Sequence, residues 1–124
     1  MKIRDDYTCP LEIVHDLIRG KWKTIIVFQL QWGSKSLSQL KRDIAGITQK
    51  MLLQHLSELQ SFGITDKINS QGFPLRVDYF LTERGKKIAS VVNIMQEIGI
   101  EYMVEHGQTE WLDKKGIPYT PKSV

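Results

Sequence analysis

The spacing of apolar residues changes near Gly63, and this change constrains the fold more than any other feature of the sequence. Before Gly63, apolar residues recur every three or four positions, which is typical of amphipathic helices. After it, two runs within residues 64–81 alternate between apolar and polar residues and enclose a loop with glycine and proline, which predicts a β-hairpin. A long helical pattern follows. The chain is therefore predicted to be mainly α (α+β), with one hairpin near its middle.

Two helical patterns open the chain. Residues 10–19 place apolar side chains on one face, and Pro10 suits the first turn of a helix. Residues 21–32 are apolar almost all round, which indicates a buried central helix.

Two shorter helical patterns occupy residues 36–62. Ser36 and Thr48 precede them and are suitable N-caps, and Gly46 lies between them. Short helices that meet at a glycine turn are typical of a helix-turn-helix motif.

The last helix is predicted over residues 82–106 with Thr82 as its N-cap, and the tail after Trp111 is predicted to be loosely ordered. A helix-turn-helix followed directly by a hairpin is a winged helix, with residues 64–81 as the wing. We predict one domain over residues 1–124, a winged helix-turn-helix with N- and C-terminal dimerisation helices.

The second helix of the motif carries outward side chains that suit a DNA groove. A glutamine can pair with the adenine edge, lysine can reach guanine or a phosphate, and threonine can donate to a phosphate at the helix start. An ordinary solvated helix face is the alternative, and the hairpin that follows favours DNA. The predicted contact residues are Thr48, Gln49, Lys50 and Gln54.

Polar and basic side chains near the motif and the hairpin loop are predicted to contact phosphates or the adjacent minor groove. A plain surface hairpin is the alternative interpretation. These candidates are Lys35, Ser38, Lys41, Lys67, Asn69 and Arg76.

The apolar stripe of the last helix runs for about four turns, which is long for packing against its own small domain alone. We expect part of it to be buried against a second copy of the chain, together with the N-terminal helix, although intrachain core accounts for some members. The predicted dimer interface contains Leu11, Val14, Ile18, Val92, Met95, Ile98 and Tyr102.

Charge and composition favour an anionic partner and argue against an enzyme. Residues 1–87 hold 14 Lys or Arg against 9 Asp or Glu, whereas residues 88–124 hold 3 against 5, and the net charge is +3. No nucleophile–base pair, phosphate loop or metal cluster is evident, so no catalysis, metal or cofactor is predicted. No membrane-spanning stretch or secretion signal is evident, so a cytoplasmic protein is expected.

Several segments resemble the HxlR family of bacterial winged-helix regulators. They are Cys9-Pro10, Gly-Lys-Trp at residues 20–22, Leu-Ser-Gln-Leu-Lys at 37–41, Gly-Ile-Thr-Gln-Lys-Met-Leu at 46–52, and Pro-Leu-Arg-Val-Asp-Tyr-Phe-Leu-Thr-Glu-Arg-Gly at 74–85. The sequence departs from the family pattern at Arg19 and Leu75, and it lacks a tryptophan near Ile98.

The resemblance implies a sequence-specific transcription regulator, a repressor or activator, that binds a pseudo-palindromic operator in double-stranded DNA as a homodimer. It also implies a response to a small-molecule effector or to a redox or electrophile signal. Some members sense oxidants with a cysteine in the position of Cys9, the single cysteine of the chain, although a small buried hydrophobic residue is the alternative there. A winged-helix protein–protein interaction module without DNA binding is the alternative function.

Overall fold

The computed structural model describes residues 6–70, 72 and 75–121; residues 1–5, Gln71, Phe73, Pro74 and residues 122–124 lie outside the described part. The chain forms two compact units, one up to Ala89 and one from Ser90 onward. Its elements are α1 Pro10–Leu17, α2 Lys23–Leu30, β1 Lys35–Ser36, α3 Leu37–Asp43, α4 Gln49–Ser61, β2 Thr65–Asn69, β3 Val77–Leu81, α5 Glu83–Glu105 and α6 Thr109–Lys114.

Helix-rich structure with one small antiparallel sheet agrees with the predicted class. The predicted helices all form, and their ends differ from the prediction by at most two residues. Two short elements were not predicted, the strand β1 and the helix α6. Helix α6 corrects the expectation of a loosely ordered tail for residues 112–114 only, because residues 117–121 adopt no helix or strand. One domain over residues 1–124 stays a prediction.

Helix α4 packs on the core of the first unit through one face. Leu52, Leu56 and Leu59 are at most 1% exposed, and their spacing of four and three residues keeps them on one side of the helix. Ile26 of α2 and Leu40 of α3 are also completely buried. Each such side chain stabilises the fold by about 1.5–3 kcal/mol relative to leaving it exposed.

Both helices of the motif begin at the predicted caps. The hydroxyl oxygen of Ser36 accepts from the Gln39 amide at 3.3 Å, and the Gln39 side chain accepts from the Ser36 amide at 2.8 Å, which completes a capping box. The Thr48 hydroxyl oxygen accepts from the Met51 amide at 3.1 Å. Gly46 lies between these helices with a φ of 88°, a left-handed conformation that glycine adopts without strain.

The three strands form an antiparallel sheet in the order β1-β3-β2. In the hairpin, Thr65 pairs with Leu81 and Asn69 with Val77. The two-residue strand β1 pairs with the other side of β3, which places the start of α3 beside the wing.

Helix α5 starts in close contact with the segment that enters the wing. A Cβ atom on Gly85 would lie 2.1 Å from the carbonyl oxygen of Ile64, so no larger residue fits there without movement of the backbone. The Thr82 hydroxyl donates to the Gly63 carbonyl oxygen and accepts from the Gly85 amide. The predicted N-cap is therefore confirmed, and it also ties the helix to the chain beneath it.

In the second unit, α5 ends before Gly107, which has a φ of 72°. Val104 and Leu112 are buried there. Within the residues that the structure describes, no helix is both long enough and apolar enough to cross a membrane.

Candidate nucleic-acid interface

The exposed side of α4 forms a continuous polar surface with one apolar residue. We call it the recognition face. It lies opposite the buried leucines of the same helix, and the packing of these leucines against the core fixes the direction in which the recognition face points. Its members are Gln49, Lys50, Leu53, Gln54 and Ser57, all of them exposed.

Thr48 lies at the start of the recognition face and is also exposed, but its oxygen already accepts a hydrogen bond from the helix backbone. Its hydroxyl hydrogen can still donate to an acceptor such as a phosphate. The structure therefore brings the four predicted recognition-helix residues together on one helix end.

A buried ion pair supports this face from below. Lys23 of α2 is 3% exposed, and its Nζ lies 2.5 Å from Glu58 Oε2 on α4. The other oxygen of Glu58 accepts from the Gln54 side-chain amide at 3.3 Å. The chain Lys23–Glu58–Gln54 connects the core to a predicted base-reading side chain, and it restricts how the Gln54 amide turns.

The pair also affects the pKa of Glu58 and that of the nearby His55. The hydrogen bond from Lys23 lowers the pKa of Glu58 below its ordinary value, although partial burial opposes this shift. Burial lowers the pKa of His55, the neighbouring residue on α4, and the Lys23 charge adds to this effect. At neutral pH, Glu58 is therefore ionised and His55 uncharged.

Sequence reasoning missed this pair because it assigned no role to Lys23 or to Glu58. A signal was present in the spacing of α2. Lys23 precedes the buried Ile26 and Val27 by three and four residues, which puts it on their side of the helix.

The wing presents its predicted contact residues to solvent. Lys67 and Asn69 on β2 are exposed. Arg76 is exposed as well, and its Nε donates to Asp78 at 2.9 Å, which holds part of the guanidinium in place. The remaining N–H groups of the guanidinium suit a phosphate.

The predicted phosphate contacts near α3 differ in their surroundings. Lys41 and Ser38 are exposed, and the Ser38 hydroxyl lies 3.2 Å from that of Ser36. Lys35 lies 2.6 Å from Asp43 and 3.3 Å from the Gln29 side-chain oxygen, so its ammonium group already has two acceptors within the chain.

A groove of about 500 Å³ separates the recognition face from the wing. We call it the wing groove. It unites residues from α3, α4 and β3 that are far apart in the sequence, three of them predicted DNA contacts. Its lining consists of Ser36, Leu37, Ser38, Gln49, Leu53, Leu75, Arg76, Val77 and Tyr79.

The predicted dimer residues fall into three groups by exposure. On α1, Leu11 is 67% exposed and Val14 is half-buried, as is Ile18 at the C-cap of this helix. On α5, Met95, Ile98 and Tyr102 are 48–59% exposed. Val92 is 6% exposed, so little of its surface remains for a partner chain to cover.

Two apolar residues of α5 that were not assigned to the interface share this exposure. Val91 and Ile94 are 50% and 57% exposed. Together with Met95, Ile98 and Tyr102 they form what we call the α5 stripe.

Cys9 is exposed and lies at the N-cap of α1. The alternative of a small buried hydrophobic residue is therefore wrong for this position. An exposed thiol is accessible to reagents.

Comparison with known proteins identifies the family. A sequence profile of the HxlR-like helix-turn-helix family matches residues 17–107. The chain belongs to this family. An uncharacterised helix-turn-helix-type transcriptional regulator of Methanothermobacter thermautotrophicus is 37% identical over 98 residues, which are 79% of this chain and 75% of that protein. The regulator YkvN of Bacillus subtilis, also uncharacterised, is 35% identical over 96 residues, 77% of this chain and 81% of YkvN.

Solved structures agree with this assignment. The redox regulator HypR in its reduced form superposes with a TM-score of 0.73 at 34% identity, over 82% of this chain and 99% of HypR. The winged helix-turn-helix fold is thus confirmed, and the chain is a DNA-binding transcription regulator. Proteins of this kind are generally not enzymes.

Proposed function

We propose that this regulator binds a pseudo-palindromic operator as a homodimer in the cytoplasm. The observation that carries the proposal is the α5 stripe, a row of apolar side chains about half exposed on one helix. Large exposed apolar patches on soluble proteins mark interaction sites.

The spacing of the stripe suits a helix–helix contact. Val91, Met95, Ile98 and Tyr102 follow one another at four, three and four residues, the spacing of a seam between two helices. From Val91 to Tyr102 the seam extends about 16 Å. A second copy of the same stripe supplies a matching apolar surface, and a role of the α1 residues in the interface stays a prediction.

Two-fold symmetry gives the dimer two recognition faces. Paired recognition helices read half-sites about 34 Å apart on one side of the duplex, so the operator is pseudo-palindromic. Gln49, Lys50 and Gln54 contact base edges. The phosphates are contacted by Ser38, Lys41, Lys67, Asn69 and Arg76, and Thr48 donates at the helix start. Lys35 contributes least because its ammonium group already donates to Asp43 and to Gln29.

The test combines oligomeric state with operator selection. Sedimentation equilibrium of the full chain is expected to give twice the mass of 14.4 kDa. Selection of bound genomic fragments followed by footprinting is expected to show two related half-sites in inverted orientation. A monomer at micromolar concentration, or an asymmetric single site, would contradict the proposal.

Cys9 is the proposed redox sensor of this regulator. Its exposure allows the thiolate to react, and the structural relative HypR is a redox regulator. Diamide accepts two electrons and two protons as two thiols form a disulfide, and with one cysteine per chain that bond joins two copies or one copy and a small thiol. We expect diamide to weaken operator binding by the native chain and not by Cys9→Ser. An equal response of both chains would remove Cys9 from this role. A small-molecule effector stays a prediction without assigned residues.

A further inference from the structure

Leu53 is an apolar residue in the middle of a polar surface. It is 41% exposed, although the neighbouring Leu52 of the same helix is completely buried. It lies one turn after Gln49, next to Gln54 and one turn before Ser57, so polar side chains surround it along the helix. Leu53 therefore lies outside the buried core of the chain and presents an apolar surface to solvent.

The surroundings of Leu53 indicate what it contacts. It lines the wing groove, where Leu37 and Val77 provide further apolar surface and Ser38 and Arg76 provide donors. A DNA strand that follows this groove brings its phosphates to the donors and its base edges to α4. Among the base edges of the major groove in unmodified DNA, the only apolar group is the C5-methyl group of thymine.

We propose that Leu53 packs against a thymine methyl group in each half-site of the operator. This inference rests on the proposed function and specifies the base that the centre of the recognition face reads. The flanking Gln49 and Gln54 suit adenine, whereas Lys50 can reach guanine, so we expect A·T pairs at the positions next to the Leu53 contact.

The test removes the methyl group and the leucine separately. Operator fragments selected by the wild-type chain are resynthesised with each thymine of a half-site replaced by deoxyuridine, which lacks the methyl group and keeps the base pair. At one position per half-site, we expect about a 4-fold loss of affinity, as for one buried methylene-sized group. Replacement in both half-sites is expected to give about a 15-fold loss.

The variant Leu53→Ala is expected to bind the thymine operator more weakly and to show no further loss with deoxyuridine at that position. Its side chain is exposed, so the variant keeps its fold, which circular dichroism checks. Gln60→Ala, on the same helix but outside the recognition face, is the control and is expected to retain the full deoxyuridine effect.

The results separate this inference from the proposed function. If the native chain binds a symmetric operator but Leu53→Ala retains the deoxyuridine effect at every position, the inference is overturned and the proposed function stands. Selected half-sites with G·C pairs throughout the core would also overturn it. Failure of the native dimer to select any operator would overturn the proposed function itself.

Discussion

The outer faces of α4 and of α5 between Val91 and Tyr102 differ in chemistry although both are exposed. The recognition face of α4 is polar with one leucine, whereas the α5 stripe consists of apolar side chains. A polar face remains well solvated in the free protein and exchanges water for base and phosphate groups when DNA binds. An apolar face is unfavourable in water by about 25 cal/mol for each Å². The recognition face can therefore stay exposed until DNA binds, whereas the α5 stripe favours a permanent partner chain, which the proposed dimer supplies.

Substitution of the α5 stripe is expected to have the largest effect. The double variant Met95→Gln/Ile98→Gln replaces two exposed apolar side chains with polar ones and leaves the dimer without its seam. We expect operator affinity to fall about 1000-fold, toward the affinity for non-specific DNA. Gel-shift titration measures the operator affinity, and sedimentation measures the loss of the dimer. Glu97→Gln/Glu101→Gln on the same helix is the control, and it should remain dimeric.

The ion pair between Lys23 and Glu58, beneath the recognition face, provides the next prediction. Glu58→Gln removes the carboxylate charge that pairs with the buried Lys23 ammonium group. The free energy of unfolding at pH 7 is expected to fall by about 2 kcal/mol in urea denaturation, the size of a hydrogen bond to a charged group. Glu83→Gln breaks an exposed pair with Lys86 and should change stability little.

The same pair predicts a pH dependence. The folded-state pKa of Glu58 is lowered, so its stabilisation is present above the ordinary value of 4.5 and is lost as the pH falls below it. The native chain should therefore lose more stability on acidification than Glu58→Gln. Parallel profiles for both chains would show that the pair does not contribute.

Gln54→Ala tests whether the polar face reads sequence. We expect a 5- to 150-fold loss on the selected operator, which corresponds to about 1–3 kcal/mol, and almost none on random duplex DNA. Gln60→Ala, on the same helix with its amide near Asp66, is the control. Equal losses on both DNAs would make Gln54 a non-specific contact.

Lys67→Ala is expected to have the smallest effect of this series. Loss of one phosphate contact lowers affinity a few-fold and reduces the slope of log affinity against log salt by about 0.9 per half-site. Lys115→Ala, beyond α6, should leave the slope unchanged. Measurement of the binding affinity at several salt concentrations between about 50 and 200 mM resolves the difference.

The parts of this structure that sequence predicts are those with a local signal. Caps such as Ser36 and Thr48 and the apolar periodicity of α4 act within a few residues, so they fixed helix positions and the recognition face. The match of motifs to a family then added function.

What sequence reasoning missed depends on tertiary contacts. The two residues of β1 pair with β3 across more than 40 positions and carry no pattern of their own. Charged side chains are rarely buried unless they are paired, and the sequence does not show that Glu58 lies beside Lys23. Lys23 was therefore not predicted to be buried. Val92 and Met95 were both predicted in the dimer interface, and only the folded chain shows that Val92 is already buried whereas Met95 is exposed.

The close approach at Gly85 makes this position useful for genetics. One added carbon atom at Gly85 collides with the Ile64 carbonyl oxygen and forces apart the two segments that hold the wing. Gly85→Ala is therefore expected to melt several degrees lower than the native chain, as a scan of ellipticity against temperature would reveal. This substitution would be a temperature-sensitive allele, because the regulator would lose function when the temperature is raised. The target genes of the regulator could then be identified without deletion of the regulator gene.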